Sequence, residues 1–316
     1  MQAGLASIII PTYNRAHLVV DAIRSALAQD YPHKQIIVVD DGSTDDTRRV
    51  VSAFPQVEYE YQANAGQAAA RNAGLRRSRG EYVTTLDSDD IWDPGFLSAG
   101  IAQLQQHGVN LGFLNWRTSG GPNGLEIFCN LTSARRRYLT QPAGDWWLLS
   151  AAQTRRLMLE TCPAPSSALI VRRSAMGSGW NEQMRIADDW CLLLDLVLHQ
   201  PTPAVFTLTP HWLKQVHGQN IYDGRDYQAV AEELSLHDEP LLLQRYRQHL
   251  RWHEKIMFQQ RQAQHLLNYA YSSYKQQRKT LLLRYLVKAF RAAPFTTSYR
   301  IVYEVYSYAK SYPRSA

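Results

Sequence analysis

Cysteine is scarce. Cys129, Cys162 and Cys191 are the only three in 316 residues. They are far apart and odd in number, which excludes zinc-site spacing and a disulfide framework and fits a reducing compartment. Long apolar runs are missing too: no stretch approaches the roughly 18 residues that cross a bilayer. The run from Ala6 to Ile10 has no basic flank and is too short for a secretory signal. There is no Gly-Lys-Ser/Thr phosphate loop. The first strand is followed by Pro11-Thr12-Tyr13-Asn14, where a dinucleotide-binding domain needs a glycine fingerprint. A P-loop NTPase and a Rossmann dehydrogenase are therefore poor fits.

What is present can build a sizeable core, since 45% of the residues are hydrophobic. The length suits one catalytic domain of roughly 220 to 240 residues plus an appendage. Charge is unevenly spread. Residues 241–316 hold 14 Lys and Arg against 2 Glu, a net +12, so the total of +6 leaves −6 for residues 1–240. Ten of the 18 tyrosines fall in the same basic tail.

The central stretch is Tyr82-Val83-Thr84-Thr85-Leu86-Asp87-Ser88-Asp89-Asp90. A run rich in Val, Thr and Leu predicts a buried strand, and three carboxylates follow at its C-terminal end. Clustered carboxylates repel unless a cation neutralises them. Oxygen ligands with no Cys or His beside them suit Mg²⁺ or Mn²⁺, and such an ion would carry a diphosphate. An acidic turn ahead of the Asp93-Pro94 helix start is the plainer alternative.

Upstream, Ser7–Ile10 and Gln35–Val39 predict buried strands, and Val57–Tyr61 a third. Helical periodicity covers residues 15–29, and a helix is expected over 67–79. Ser43 is expected to cap a helix whose first turn holds Asp45 and Asp46. Alternating strands and helices imply a mostly parallel sheet. Successive strand ends then bring polar groups to one edge, where open α/β sheets bind ligands. Tyr13 offers a ring for stacking on a base, Asp40 an acceptor for a base or ribose donor, and Asp87 and Asp89 oxygens for a ribose hydroxyl and a metal.

Pro11-Thr12-Tyr13-Asn14, Val39-Asp40-Asp41-Gly42-Ser43, Asn64-Ala65-Gly66, Ala70-Arg71-Asn72-Ala73-Gly74 and Asp87-Ser88-Asp89-Asp90 stand in the order and spacing of family-2 glycosyltransferases. The resemblance covers about residues 5–225. It implies the GT-A fold, an α/β fold with flanking helices on a mostly parallel central sheet. It also implies inverting transfer of a sugar from a nucleotide-diphosphate donor, with a UDP-sugar expected, helped by Mn²⁺ or Mg²⁺. The nucleotide-sugar site would include Pro11, Thr12, Tyr13, Asn14, Asp40, Gly66, Arg71, Asp87 and Ser88. Asp89 would bind the metal, joined by His217, which resembles a late metal- or diphosphate-contacting histidine; a lone His is otherwise usually structural.

Further along, Trp146-Trp147 is expected to open a helix reaching Leu159, and Pro165–Arg173 to form a strand entering the site. By resemblance that strand lies on the acceptor side, with Ser166 and Ser167, and Trp190 belongs to the same side. The family's Glu-Asp pair, whose Asp is the general base, corresponds to Asp188-Asp189 here. The first position departs from the pattern; Asp189 is the matching base and Asp188 the alternate. Two acids at a helix start are also favoured by the helix dipole alone. Arg135-Arg136-Arg137, in a glycine-bearing loop, is either a solvated surface run or part of an acceptor cover.

The expected organisation is a catalytic domain over 1–225, with a nucleotide-sugar half (1–115) and an acceptor half (116–225), then a basic helical extension over 226–316. That extension is expected to pack back on the catalytic domain, to meet an anionic membrane surface, or both, since one face can pack while another meets lipid. Nucleic acid is not an expected partner, because no binding motif accompanies the charge. The acceptor is expected to be a glycan or lipid-linked glycan, and the location the cytoplasmic face of the membrane. A sugar nucleotidyltransferase would need a Gly-rich basic activation loop near its start, which is missing; a catalytically silent nucleotide-sugar scaffold would not need the intact acids.

Overall fold

The computed structural model describes residues 1–119, 124, 138–217, 220 and 225–311, with the backbone alone for 227, 228, 231 and 303–311. The Arg135-Arg136-Arg137 run lies outside the described residues. The chain forms two compact units: Met1–Met184 with Asp188–Gly224, and Arg185–Ala187 with Arg225–Ala316.

The first unit opens with β1 (Gln2–Thr12), α1 (Ala16–Leu27), β2 (Lys34–Asp40), α2 (Thr47–Val51), β3 (Glu58–Tyr61), α3 (Gln67–Arg77) and β4 (Gly80–Thr85). It continues with β5 (Asp90–Trp92), α4 (Phe96–His107), β6 (Leu111–Thr118), β7 (Pro142–Ala143), β8 (Trp146–Leu149), α5 (Ala151–Glu160), β9 (Leu169–Arg172), α6 (Asp188–His199) and β10 (Ala204–Lys214). Among the described residues the strands form a single ten-stranded sheet, ordered β3-β2-β1-β4-β9-β6-β10-β8-β7, with β5 on β10.

The apolar runs go where the pattern places them. Ile8, Ile9 and Ile10 are fully buried, as are Ile37, Val38 and Val39. Helix α3 approaches β1 closely through Gly74, where an added Cβ would sit 2.3 Å from Ile9 Cγ2. Strands β3, β2, β1 and β4 are all parallel, as expected for the first half. In the second half the pairing is mixed: β9 enters antiparallel to both β4 and β6.

Three local expectations are corrected. Trp146–Leu149 is strand β8, because bulky apolar residues pair with β10 there. Its helix begins only after Ser150, which with Gln153 forms a capping box. Ser166–Ala168 is a short 3₁₀ turn, so β9 starts at Leu169. Helix α2 starts at Thr47, whose amide bonds Asp45 Oδ1 at 3.0 Å; Ser43 instead receives the Asn14 amide at 2.9 Å.

The second unit is helical: α7 (Tyr227–Glu233), a π-helical turn (Leu234–Asp238), α8 (Glu239–Tyr246), α9 (Trp252–Lys275), α10 (Lys279–Ala292) and α11 (Pro294–Ser311). Its core gathers Leu266, Tyr269 and Ala270 of α9 with Tyr285 and Ala289 of α10; Leu236 of the π turn packs against it.

Candidate active site

The ends of β1 and β2 lie side by side, with Thr12 in register with Asp40. Asn14 takes a left-handed backbone conformation (φ 51), which Asn tolerates better than most residues. It ties the two strand ends together by donating its amide to Ser43 Oγ and accepting the Thr44 amide at 2.8 Å. Asp40 is buried; Oδ1 accepts the Ser43 amide (2.8 Å) and Oδ2 the Tyr59 hydroxyl (2.6 Å). Asp41 accepts the amides of Ala65 (2.9 Å) and Gly66 (2.8 Å), fixing the turn into α3. Gly66 has φ +94, a conformation that side chains disfavour.

Beyond β4 the three carboxylates have separate partners. Asp87 Oδ1 receives Arg71 Nη2 at 2.7 Å. Asp89 Oδ2 is met by Arg15 Nη1 at 2.7 Å, His217 Nε2 at 3.0 Å and Asn220 Nδ2 at 3.2 Å. Asp90 is buried and accepts the Ser167 hydroxyl at 2.7 Å. Burial, together with the neighbouring Asp87 and Asp89 charges, pushes the Asp90 carboxyl well above its usual range. The self-repulsion read from the sequence is real, but two arginines of the chain already offset part of it.

Arg71 is the hub. Its side chain is 2% exposed, and Nη1 reaches Asp188 Oδ2 and, at 3.6 Å, Asp189 Oδ1. Burial works against its charge, but Asp87, Asp188 and Asp189 outweigh burial and hold it firmly protonated. Asp188 also receives Gln67 Nε2 at 2.9 Å. Burial raises the Asp188 carboxyl to about 7 against the pull of Arg71, with Asp189 and Asp87 adding to the rise. Asp189 is raised in the same direction, again by burial first. Its Oδ2 accepts the Ser166 amide at 2.9 Å and its Oδ1 the Ser166 hydroxyl.

The chain matches the glycosyl transferase family 2 model over residues 7–161. It belongs to glycosyltransferase family 2. Glycosyltransferase GlyG of Streptococcus pneumoniae is 32% identical over 160 residues, 47% of this chain and 53% of that protein. The putative teichuronic acid biosynthesis glycosyltransferase TuaG of Bacillus subtilis is 34% identical over 117 residues, 35% of this chain and 46% of that protein. The chain thus spans about half the length of these relatives. Among solved structures, Staphylococcus aureus TarS 1–349 superposes with a TM-score of 0.66 at 18% identity, over 93% of this chain and 82% of that one. The mannosyltransferase PcManGT of Pyrobaculum calidifontis gives 0.52 at 18% identity, over 95% of this chain and 74% of that one. The fold is GT-A.

Within this family-2 fold the named residues separate by exposure. Tyr13 (47%), Asp87 (29%), His217 (25%) and Asp189 (18%) reach the surface. Thr12, Asp40, Arg71, Ser88 and Asp188 are buried. The three residues expected on the acceptor side all turn inward. Trp190 is buried and gives its indole N–H to the Met158 carbonyl at 2.6 Å. Ser166 and Ser167 are fully buried and serve the carboxylates of Asp189 and Asp90. Arg71, expected at the nucleoside, meets the carboxylates of Asp87 and Asp188. Sequence reading missed Arg15, Gln67 and Asn220. Arg15 directly follows the Pro11–Asn14 motif and Asn220 lies three residues after His217, so proximity to a motif was the available signal.

Proposed function

We propose that the chain is an inverting glycosyltransferase that moves a sugar from a UDP-sugar to a hydroxyl of a glycan or lipid-linked glycan in cell-envelope polysaccharide, lipopolysaccharide or glycoprotein assembly. The observation that carries this is Asp189: a partly open carboxylate with a raised pKa, held by Ser166 and linked through Arg71 to Asp87 at the end of β4. Inversion needs one base facing the acceptor hydroxyl, and a raised pKa makes a carboxylate a better proton acceptor. Asp189 takes the proton as that hydroxyl attacks the anomeric carbon. Asp188, sealed against Arg71 and Gln67, holds Arg71 in place. Tyr13 and Asp87 face the nucleoside. The assignment of TuaG to teichuronic acid biosynthesis and the TarS complex with UDP-GlcNAc support the envelope and UDP parts of the reading.

Among the described residues no three His, Cys, Asp or Glu side chains cluster to hold a metal. The paired donors Asp89 and His217 fit an ion that arrives with its nucleotide, whose phosphates complete the coordination shell. Mn²⁺ or Mg²⁺ so held would offset charge on the departing diphosphate. PcManGT was solved with GDP-Man and Mn²⁺.

The basic unit is read as a peripheral anchor to anionic membrane at the cytoplasmic face. No described helix is long and apolar enough to cross a membrane. Leu283, Val287 and Phe290 of α10 are exposed at helical spacing, with Arg284, Lys288 and Arg291 interleaved. Basic groups near an anionic leaflet contribute about 1 kcal/mol each. Flotation with anionic liposomes at low salt should carry the full chain and lose a Leu283→Asp, Phe290→Asp variant; equal flotation of both removes the anchor.

The function itself is tested by turnover. Purified chain with Mn²⁺ should release nucleotide from one member of a nucleotide-sugar panel and bind UDP in calorimetry. Asp89→Asn should abolish the Mn²⁺-dependent part of that binding, and unchanged affinity would sink the metal assignment. Failure to bind or turn over any member of the panel would remove the whole reading.

A further inference from the structure

Asp238 is a fully buried acid far from any motif in the sequence. It ends a π-helical turn, Leu234–Asp238, a form that is rare and frequently functional. Pro240 explains the widened turn: it has no N–H for residue 236, and its ring crowds that carbonyl. Leu236 fastens the same turn to the Leu266, Tyr269 and Tyr285 core.

The carboxylate of Asp238 faces a short peptide that belongs to the same compact unit, Arg185–Ala187. Both oxygens accept the Arg185 amide at 3.1 Å, and Oδ2 accepts Ile186 and Ala187 at 2.8 Å each. His237 Nδ1 lies 2.7 Å from Oδ1. Three successive backbone amides thus converge on one carboxylate, a nest for an anion. In the chain, Ala187 is followed directly by Asp188 and Asp189, the first two residues of α6.

We propose that Asp238 is a positioning residue: by holding the amides of Arg185–Ala187 it fixes the backbone from which Asp189 projects. This rests on the reading of Asp189 as the base. The physical need is clear, because an error of about 1 Å in a reacting group can cost on the order of 10²-fold in rate. Asparagine at 238 can keep an acceptor oxygen on the amides but loses the negative charge and the second acceptor, so the three-amide clamp weakens while the side-chain volume stays.

The experiment uses the full chain and the donor selected by the nucleotide-sugar panel. Asp238→Asn should lower kcat by about tenfold, within the range a misplaced group produces. Donor KM and the UDP Kd and stoichiometry should stay within about twofold. Hydrogen exchange of the 185–187 amides should quicken in the same variant. In an Asp189→Asn background Asp238→Asn should add no further loss, since it acts through that side chain. Unchanged kcat, unchanged exchange at 185–187, or a full extra loss in the Asp189→Asn background overturns the inference. If Asp238→Asn loses UDP binding, His237→Ala replaces it, because His237 is 31% exposed and touches the clamp at Oδ1, which receives just one of the three amides. A smaller fall in kcat there at constant UDP affinity supports the role, and wild-type kcat overturns it. Asp189→Asn with wild-type turnover would instead overturn the base assignment and this inference with it. An inactive Asp189→Asn beside a fully active Asp238→Asn overturns this inference alone.

Discussion

Two acidic clusters serve this site, and they carry their charge differently. The Asp87, Asp89 and Asp90 group follows β4, and each member has its own partner: Arg71, Arg15 with His217, and the Ser167 hydroxyl. The Asp188-Asp189 pair begins α6 and shares one cation, Arg71. In the first cluster Asp87 is 29% exposed, where water relieves part of the repulsion. In the second, Asp188 is 1% exposed and its carboxyl rises to about 7. Adjacent residues on a helix point about 100° apart, so Asp188 can be sealed inside while Asp189 looks out. One neighbour is sealed and the other stays partly open. Arg71 is the element common to both clusters, so the site stands or falls as a unit.

The sharpest way to break the comparison is to remove that shared cation. Arg71→Met leaves Asp188 buried without its cation, and loss of one partner of a buried ion pair costs about 3–5 kcal/mol. Urea unfolding should show that loss, and a change under about 1 kcal/mol would mean the carboxylates do not depend on Arg71.

The next test separates the two acids of the pair. Asp189→Asn should lower kcat by about 10²-fold or more at constant UDP affinity, as expected for a general base. Asp188→Asn should mainly lower stability. Turnover surviving in Asp189→Asn but lost in Asp188→Asn would exchange the roles.

A pH series sharpens the burial difference. The Asp188 carboxyl moves from 3.8 to about 7 on folding, so between those values the folded state holds a proton that the unfolded state has released. Its contribution to stability therefore falls as pH rises through that window. Asp188→Asn should flatten the decline in unfolding free energy between about pH 4 and 7 relative to wild type. Parallel curves for the two proteins would show that Asp188 is ionised throughout.

The smallest expected effect concerns how Asp189 is held. Ser166→Ala removes a hydroxyl donor but keeps the amide bond to Asp189 at 2.9 Å. A hydrogen bond to a charged group is worth about 1.5–3 kcal/mol, and with the amide bond retained the kcat loss should be no more than about tenfold, the equivalent of about 1.4 kcal/mol. A steady-state comparison with Asp189→Asn checks that ranking.

Much of this was legible in the chain itself. Runs such as Ser7–Ile10 and Gln35–Val39 have no stable place except a buried strand, so local apolar pattern determined the first half of the sheet. Motif order determined the family and put Asp87, Asp89 and Asp189 among the candidates. Tertiary structure alone decided which acids are open and which are sealed. Arg71 and Asp188 lie 117 residues apart, and nothing local signals their pairing. The same holds for Asp89 with His217, 128 residues away, and for Asp238 with Arg185. Trp190 and Ser166 sit beside motif residues yet face inward, because exposure depends on what packs above a side chain. A strand or helix is written in neighbouring residues, whereas the partner of a buried charge is chosen by the fold that brings distant ones together.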